Sequence, residues 1–156
     1  MKNDYYEYLN GYSEGDKNIQ IEIYEKTEIL KENIENIKSL NKEIRLLLFA
    51  EVYCPDCRVF VPIVEKMREI NPYVKIEIIK RKGNEELMGK YKVTRIPSLI
   101  KIEDEKYEVV YEEFPENVKI KIKSCDVEEK YQLIKRYRTG EFNQDIEKEM
   151  IDRIYT

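Results

Sequence analysis

From Ile44 to Tyr53 the chain reads IRLLLFAEVY, a nearly unbroken apolar run in a sequence that elsewhere interleaves charged and apolar residues. Such a run suits a central parallel strand buried on both faces. CPDC comes directly after it. Val59, Phe60, Ile63, Val64, Met67 and Ile70 then recur at helical spacing, predicting a helix over Arg58 to Ile70 that Asn71-Pro72 ends. Pro62 lies inside it, lacks a backbone donor and is expected to kink it. Val74, Ile76 and Ile78 alternate as in a strand, and Asn84 is placed to cap a short helix through Tyr91. Ser98 to Ile102 reads as a second apolar strand, Asp104-Glu105 as a turn, and Tyr107 to Tyr111 as a further strand. The order strand, helix, strand, helix, strand, strand predicts an α/β fold. A crossover joins two parallel strands, a hairpin comes next, and helices cover both faces of the mixed sheet.

Helical patterns flank this core. Tyr5, Tyr8, Leu9 and Tyr12 share one face of a short helix that breaks around Gly15. From Asp16, read as an N-cap, the stripe Ile19, Ile23, Leu30, Ile34 and Ile37 predicts one longer helix. That stripe also suits an intermolecular coiled coil, but it is too short for the several heptads such a reading needs, so packing on the chain's own sheet is expected. At the other end Asp126 and Glu129 form a capping-box-like start for a helix over Val127 to Arg138, with Gly140 as its stop. Ile146, Met150, Ile151 and Ile154 stripe a last helix. VKIKIK, residues 118–123, alternates as an edge strand with its lysines outward would. One domain over 1–156 is expected, comprising an N-terminal helical extension over 1–41, a core over 42–114 and a C-terminal helical segment over 115–156.

At 156 residues and 42% hydrophobic content, one ordinary core can form. Charged residues make up 38% of the chain but nearly cancel to a net charge of −4, so no basic field is available for nucleic acid or an anionic membrane. The start, MKNDYYEYLNGY, has no cationic run before an apolar stretch, and no apolar run approaches the ~20 residues needed to span a bilayer, which points to the cytoplasm. Histidine is absent, which removes imidazole nucleophile partners, imidazole metal ligands and proton relays near neutral pH. The 3 cysteines, Cys54, Cys57 and Cys125, are an odd count, unlike a secreted disulfide framework.

The candidate chemistry is Cys54-Pro55-Asp56-Cys57, set where a buried strand gives way to a helix. Both sulfurs then fall near the first helical turn, beside unpaired N–H groups and the positive end of the dipole, which favours a thiolate. Two cysteines at this spacing can close a disulfide and cycle by exchange. Cys54 takes the part of the exposed nucleophile and Cys57 that of the resolving thiol. Half of a zinc site is the rival reading, yet the second ligand pair it needs is missing, so no metal is expected. A pair of incidental core cysteines is the bland alternative. Asp56 should disfavour a neighbouring thiolate while Arg58 works the other way. Cys125 reads as a small buried apolar residue or an auxiliary thiol.

LLLFAEVYCPDCRVFVPIVEKM, with Ile96-Pro97-Ser98 further along, resembles the thioredoxin family over roughly Lys42 to Phe114. The resemblance implies an aromatic residue before the first cysteine at Tyr53, a helix proline at Pro62 and a cis proline at Pro97. The backbone of Ile96 would then be a pairing edge for substrate beside Cys54, with Pro55 and Asp56 as the active-site dipeptide and Tyr53, Ile96 and Pro97 as substrate contacts. An ordinary trans proline opening a strand is the other reading of Pro97. The sequence also departs from the family. The buried aspartate that assists proton transfer to the second cysteine is Leu48 here, and Glu51 is the nearest carboxylate that can substitute, unless it is simply solvated. The added terminal helices resemble a bacterial branch of thioredoxin-like proteins.

The resemblance implies a thiol–disulfide oxidoreductase that reduces disulfide-containing proteins or small molecules. No bound cofactor is implied, and the electrons would come from a thioredoxin reductase. Asp56 favours a reductant over a strong oxidant. A binding or adaptor module with little redox turnover is the alternative, kept alive by Leu48.

Overall fold

A computed structural model describes residues 4–156. Among these described residues eight helices and four strands occur in the order α1 (Asp4–Tyr8), α2 (Glu14–Lys26), α3 (Lys31–Lys38), β1 (Ile44–Phe49), α4 (Pro55–Ile70), β2 (Val74–Ile79), α5 (Glu85–Lys90), β3 (Ser98–Glu103), β4 (Lys106–Glu112), α6 (Glu116–Ser124), α7 (Val127–Arg138) and α8 (Asn143–Arg153). Residues 1–3 of the expected N-terminal extension lie outside the described ones. The sheet order is β2-β1-β3-β4, with β1 and β2 parallel and the other pairings antiparallel. The mixed α/β sheet expected from the sequence is therefore present.

Register assigns the two faces. Leu48 lies opposite Leu99, and Leu99 opposite Tyr111, so these three share a face. Phe60 of α4 stacks on Tyr111 with ring centroids 4.0 Å apart, which puts α4 on that side. Phe49 points the other way by strand alternation and meets Tyr91, at the end of α5. Helix α4 is the hub of its layer, touching α2, α3, α7 and α8.

Pro62 sits inside α4, which runs through it without interruption. Its missing N–H leaves the carbonyl of Arg58 without its helical donor. The side chain of Gln20, fully buried on α2, supplies one: its Nε2 donates to the Arg58 carbonyl at 3.2 Å. Gln20 is thus buried where the sequence stripe placed Ile19, and Ile19 is 43% exposed. Replacing Gln20 with alanine strands a buried acceptor and is expected to cost about 1–3 kcal/mol in denaturant unfolding.

Two further elements differ from the sequence reading. The single helix expected from Asp16 is two helices, N-capped by Ser13, whose Oγ accepts from the Asp16 N–H at 3.1 Å. Helix α2 stops at Thr27, and α3 begins where the buried carboxylate of Glu147, from α8, accepts from the Leu30 N–H (3.0 Å) and from Asn33 (2.9 Å). A charged acceptor at a helix N-terminus satisfies orphan donors and complements the dipole. VKIKIK is not an edge strand but most of α6. Val118 is buried and Ile122 packs against the core one turn on, while Glu149 accepts from the Glu116 N–H at 2.6 Å to start the helix. Helix α7 does begin as expected, with Asp126 accepting from the Glu129 N–H at 2.8 Å. It ends at Gly140, whose φ of +90° is open to glycine at little cost.

Candidate active site

Strand β1 ends at Phe49, earlier than the apolar run suggested, and residues 50–53 carry the chain to Cys54, the N-cap of α4. Pro55 fills the first helical position, where its fixed φ fits and no donor is lost. Cys57 is fully buried on the core side of the first turn and Cys54 is half-buried. The Cys54 Sγ accepts from the backbone N–H of Cys57 at 3.3 Å. Both thiols are free.

The two sulfurs are driven apart in acidity. A hydrogen bond from the Cys57 thiol holds Cys54 below the ordinary thiol range, helped by the Cys57 N–H and opposed by partial burial and by Asp56. Burial pushes Cys57 well above that range, and the Cys54 thiolate pushes it further. The half-buried sulfur is poised as the nucleophile while its fully buried neighbour keeps its proton.

Glu51 is not the solvated strand residue that alternation allowed. It lies off the end of β1, only 2% exposed, with its carboxylate accepting from the Tyr12 hydroxyl and, at 3.1 Å, from the Lys82 backbone N–H. Tyr8 is buried beside this group. Its hydroxyl has no hydrogen-bond partner among the described residues, and burial and the field of Cys57 hold it well above its usual range.

Asp56 and Arg58 do not divide the work as the sequence suggested. Arg58 turns away from the thiols, donating to the Val52 carbonyl at 2.8 Å and to Asp16 at 2.7 Å. The cation that answers Asp56 is Arg138, in the last turn of α7, which grips both carboxylate oxygens at 2.9 and 3.4 Å. Arg138 also feels the Cys54 thiolate. Arg138→Gln removes a favourable charge and frees Asp56 to repel, so the Cys54 pKa rises and its pH–alkylation curve moves to higher pH. Below the midpoint, alkylation by iodoacetamide is expected to slow roughly threefold, since the pair is partly exposed. Asp56→Asn moves the curve the other way, and the double variant lies near the parent.

The remaining candidates cluster at the same end of the sheet. Tyr53 is 46% exposed, and its hydroxyl accepts from Arg81 at 3.1 Å. Phe49 pairs with Ser98, so Ile96-Pro97 enters β3 at the end of β1 from which the chain runs to Cys54. The Ile96-Pro97 peptide is cis, both residues are buried, and the Pro97 carbonyl accepts from the Glu113 N–H at 2.7 Å. Leu48 is buried, and no carboxylate stands in its place. Cys125 is remote from this cluster in chain and element, and its thiol donates to the Ile122 carbonyl at 3.5 Å. Among the described residues no group of three or more His, Cys, Asp or Glu side chains is arranged to hold a metal.

A thioredoxin family model matches residues 2–124 of the chain. The chain belongs to the thioredoxin family. The crystal structure of a Pseudomonas aeruginosa protein of unknown function superposes with a TM-score of 0.75 at 15% identity, covering 96% of this chain and 89% of the other. An HIV epitope scaffold superposes with the same TM-score of 0.75 and 15% identity, over 96% and 90%. Both are likenesses of fold. No curated protein matches by sequence. In this thioredoxin-family chain the matched stretch takes in the cysteine pair, Pro62 and Pro97 but stops before α7. Arg138, the partner of Asp56, therefore comes from outside it. Sequence reasoning missed Arg138, Arg81 and Tyr8 as parts of this site. Tyr8 was legible as one face of a helix, but nothing local signalled its approach to Cys57.

Proposed function

We propose that the Cys54–Cys57 pair carries out thiol–disulfide exchange in the reducing direction. The supporting observation is the asymmetry of the pair: a half-buried sulfur at a helix N-terminus that accepts from the Cys57 N–H and whose pKa is held low, beside a buried thiol that keeps its proton. The Cys54 thiolate attacks one sulfur of a disulfide and expels the other as a thiolate, which takes a proton from water. Cys57 then gives up its proton and attacks Cys54, releasing the second substrate thiol and leaving a Cys54–Cys57 disulfide. In a reducing compartment such as the cytoplasm, a thioredoxin reductase returns two electrons and two protons to that disulfide. Proteins and small molecules containing disulfides are the substrates, with Tyr53 and the Ile96-Pro97 backbone as contacts. Glu51, the buried carboxylate three residues before Cys54, is the proton-transfer group in this reading. Asp56 still opposes the Cys54 thiolate despite its pairing with Arg138, which keeps the reduced form from excessive stability and supports a reductant.

Leu48 favours a second reading, an adaptor in which the fold binds a partner and the thiols turn over slowly. Reduction of insulin by dithiothreitol separates the two. Acceleration by the parent protein and none by Cys54→Ser supports the oxidoreductase, and equal rates with and without either protein leave the adaptor.

A further inference from the structure

Two guanidinium groups flank the Cys54 segment: Arg138 donates to Asp56, and Arg81 donates to the hydroxyl of Tyr53. Arg138 is matched by Asp56. Arg81 has no carboxylate within ion-pair distance among the described residues, and it is exposed. Its one side-chain partner is the neutral Tyr53 hydroxyl, at 3.1 Å, on the residue that precedes the nucleophile.

The loop that presents Arg81 is held at several points. The Lys82 N–H donates to buried Glu51 at 3.1 Å, Asn84 donates through its side chain to the Lys80 carbonyl at 2.8 Å, and the Asn84 N–H donates to the Arg81 carbonyl at 3.1 Å. The Lys80 ammonium lies over the Tyr12 ring and donates to the Asn10 carbonyl. Lys80, Arg81 and Lys82 are three consecutive cations in a chain whose net charge is −4, and Arg81 is the one whose side chain reaches the residue before the nucleophile. Glu51, which anchors this loop at the Lys82 N–H, is itself buried. A guanidinium held in place but left without a counter-ion is pre-organised for a planar anion.

We infer that Arg81 selects disulfides carrying a carboxylate close to the reacting sulfur. The inference rests on the proposed redox function and names its substrate class. The carboxylate docks on the outward N–H groups of Arg81 while Cys54 attacks the adjacent sulfur. The shared chemistry fits both a small thiol carboxylate and an acidic residue flanking a peptide disulfide.

Three near-isosteric probes test this with the full chain: 3,3′-dithiodipropionate (anionic), bis(2-hydroxyethyl) disulfide (neutral) and cystamine (cationic). Single-turnover rates of the reduced protein are divided by the rate of dithiothreitol with the same probe, which removes the leaving-group difference. The parent is expected to favour the anion over the cation by about fivefold at low salt, with the preference collapsing at high salt. In Arg81→Gln the anion-to-cation ratio falls towards one, and Lys106→Gln, at the opposite end of the sheet, keeps the parent ratio. A parent with no preference, or an Arg81→Gln ratio equal to the parent's, overturns the inference while leaving the redox reading intact. Failure of all three probes to oxidise the Cys54–Cys57 pair overturns the redox reading and this inference with it. A pair of cystine peptides bearing Asp or Asn beside the half-cystine distinguishes the sources: discrimination there identifies acidic peptides, and discrimination confined to the small probes identifies thiol carboxylates.

Discussion

Cys57→Ser is expected to arrest the reaction halfway, so that the protein accumulates as a covalent adduct through Cys54. Attack by Cys54 needs the N-terminal position on α4 and the backbone N–H of residue 57, which donates to Cys54 Sγ at 3.3 Å and survives the substitution. Release needs a second thiol, which the variant lacks. Intact-mass analysis after mixing with a disulfide substrate should show the variant plus one substrate thiol, and Cys54→Ser should show no adduct. A Cys57→Ser protein that stays unmodified while the parent is oxidised would mean that Cys54 is not the attacking sulfur.

Phe60→Ala has the largest stability effect expected in this fold. Phe60 is fully buried on α4, stacked on Tyr111 with an interplanar angle of 13°. The Tyr111 hydroxyl is hydrogen-bonded at 2.7 Å to that of Tyr137 in α7, whose ring meets Phe114 edge-on at 5.0 Å. This aromatic column ties the sheet to the C-terminal helices, so the cavity cannot close without disturbing both. The expected cost is about 3–5 kcal/mol. For a chain of this size that lowers the melting temperature by roughly 10 °C or more. Urea unfolding of the reduced protein measures it, and a cost near 1 kcal/mol would mean that the column repacks.

The elements that the sequence revealed are those whose cause is local. The apolar run of β1, the alternation in β2, the hairpin from β3 to β4 and the periodic face of α4 each arise from neighbouring residues. Cys54-Pro55-Asp56-Cys57 was legible for the same reason, since spacing within one helical turn decides whether two sulfurs can meet. What escaped depends on partners distant in the chain. The break between α2 and α3 is set by Glu147, which caps α3 from α8. The burial of Gln20 answers a carbonyl that Pro62 strands on another helix. VKIKIK carries the alternation of a strand, but only Val118 and Ile122, one turn apart, meet the core, and tertiary packing overrides the pattern. Arg58 is next to Cys57 in sequence and yet serves Asp16, while Arg138 reaches Asp56 from the end of α7. The charge effect read for Arg58 failed because a long side chain chooses its partner in space, while that read for Asp56 on the neighbouring thiolate held.

The central claim is that Cys54 and Cys57 form one reversible redox couple of reducing character. Its most direct test is the equilibrium potential of the pair in a dithiothreitol or glutathione buffer, with thiols counted by alkylation and mass spectrometry. A two-electron transition confined to Cys54 and Cys57 is expected, with Cys125 unchanged, at a potential near the roughly −270 mV typical of thioredoxin. Absence of any transition, or a potential as oxidising as about −120 mV, would contradict it.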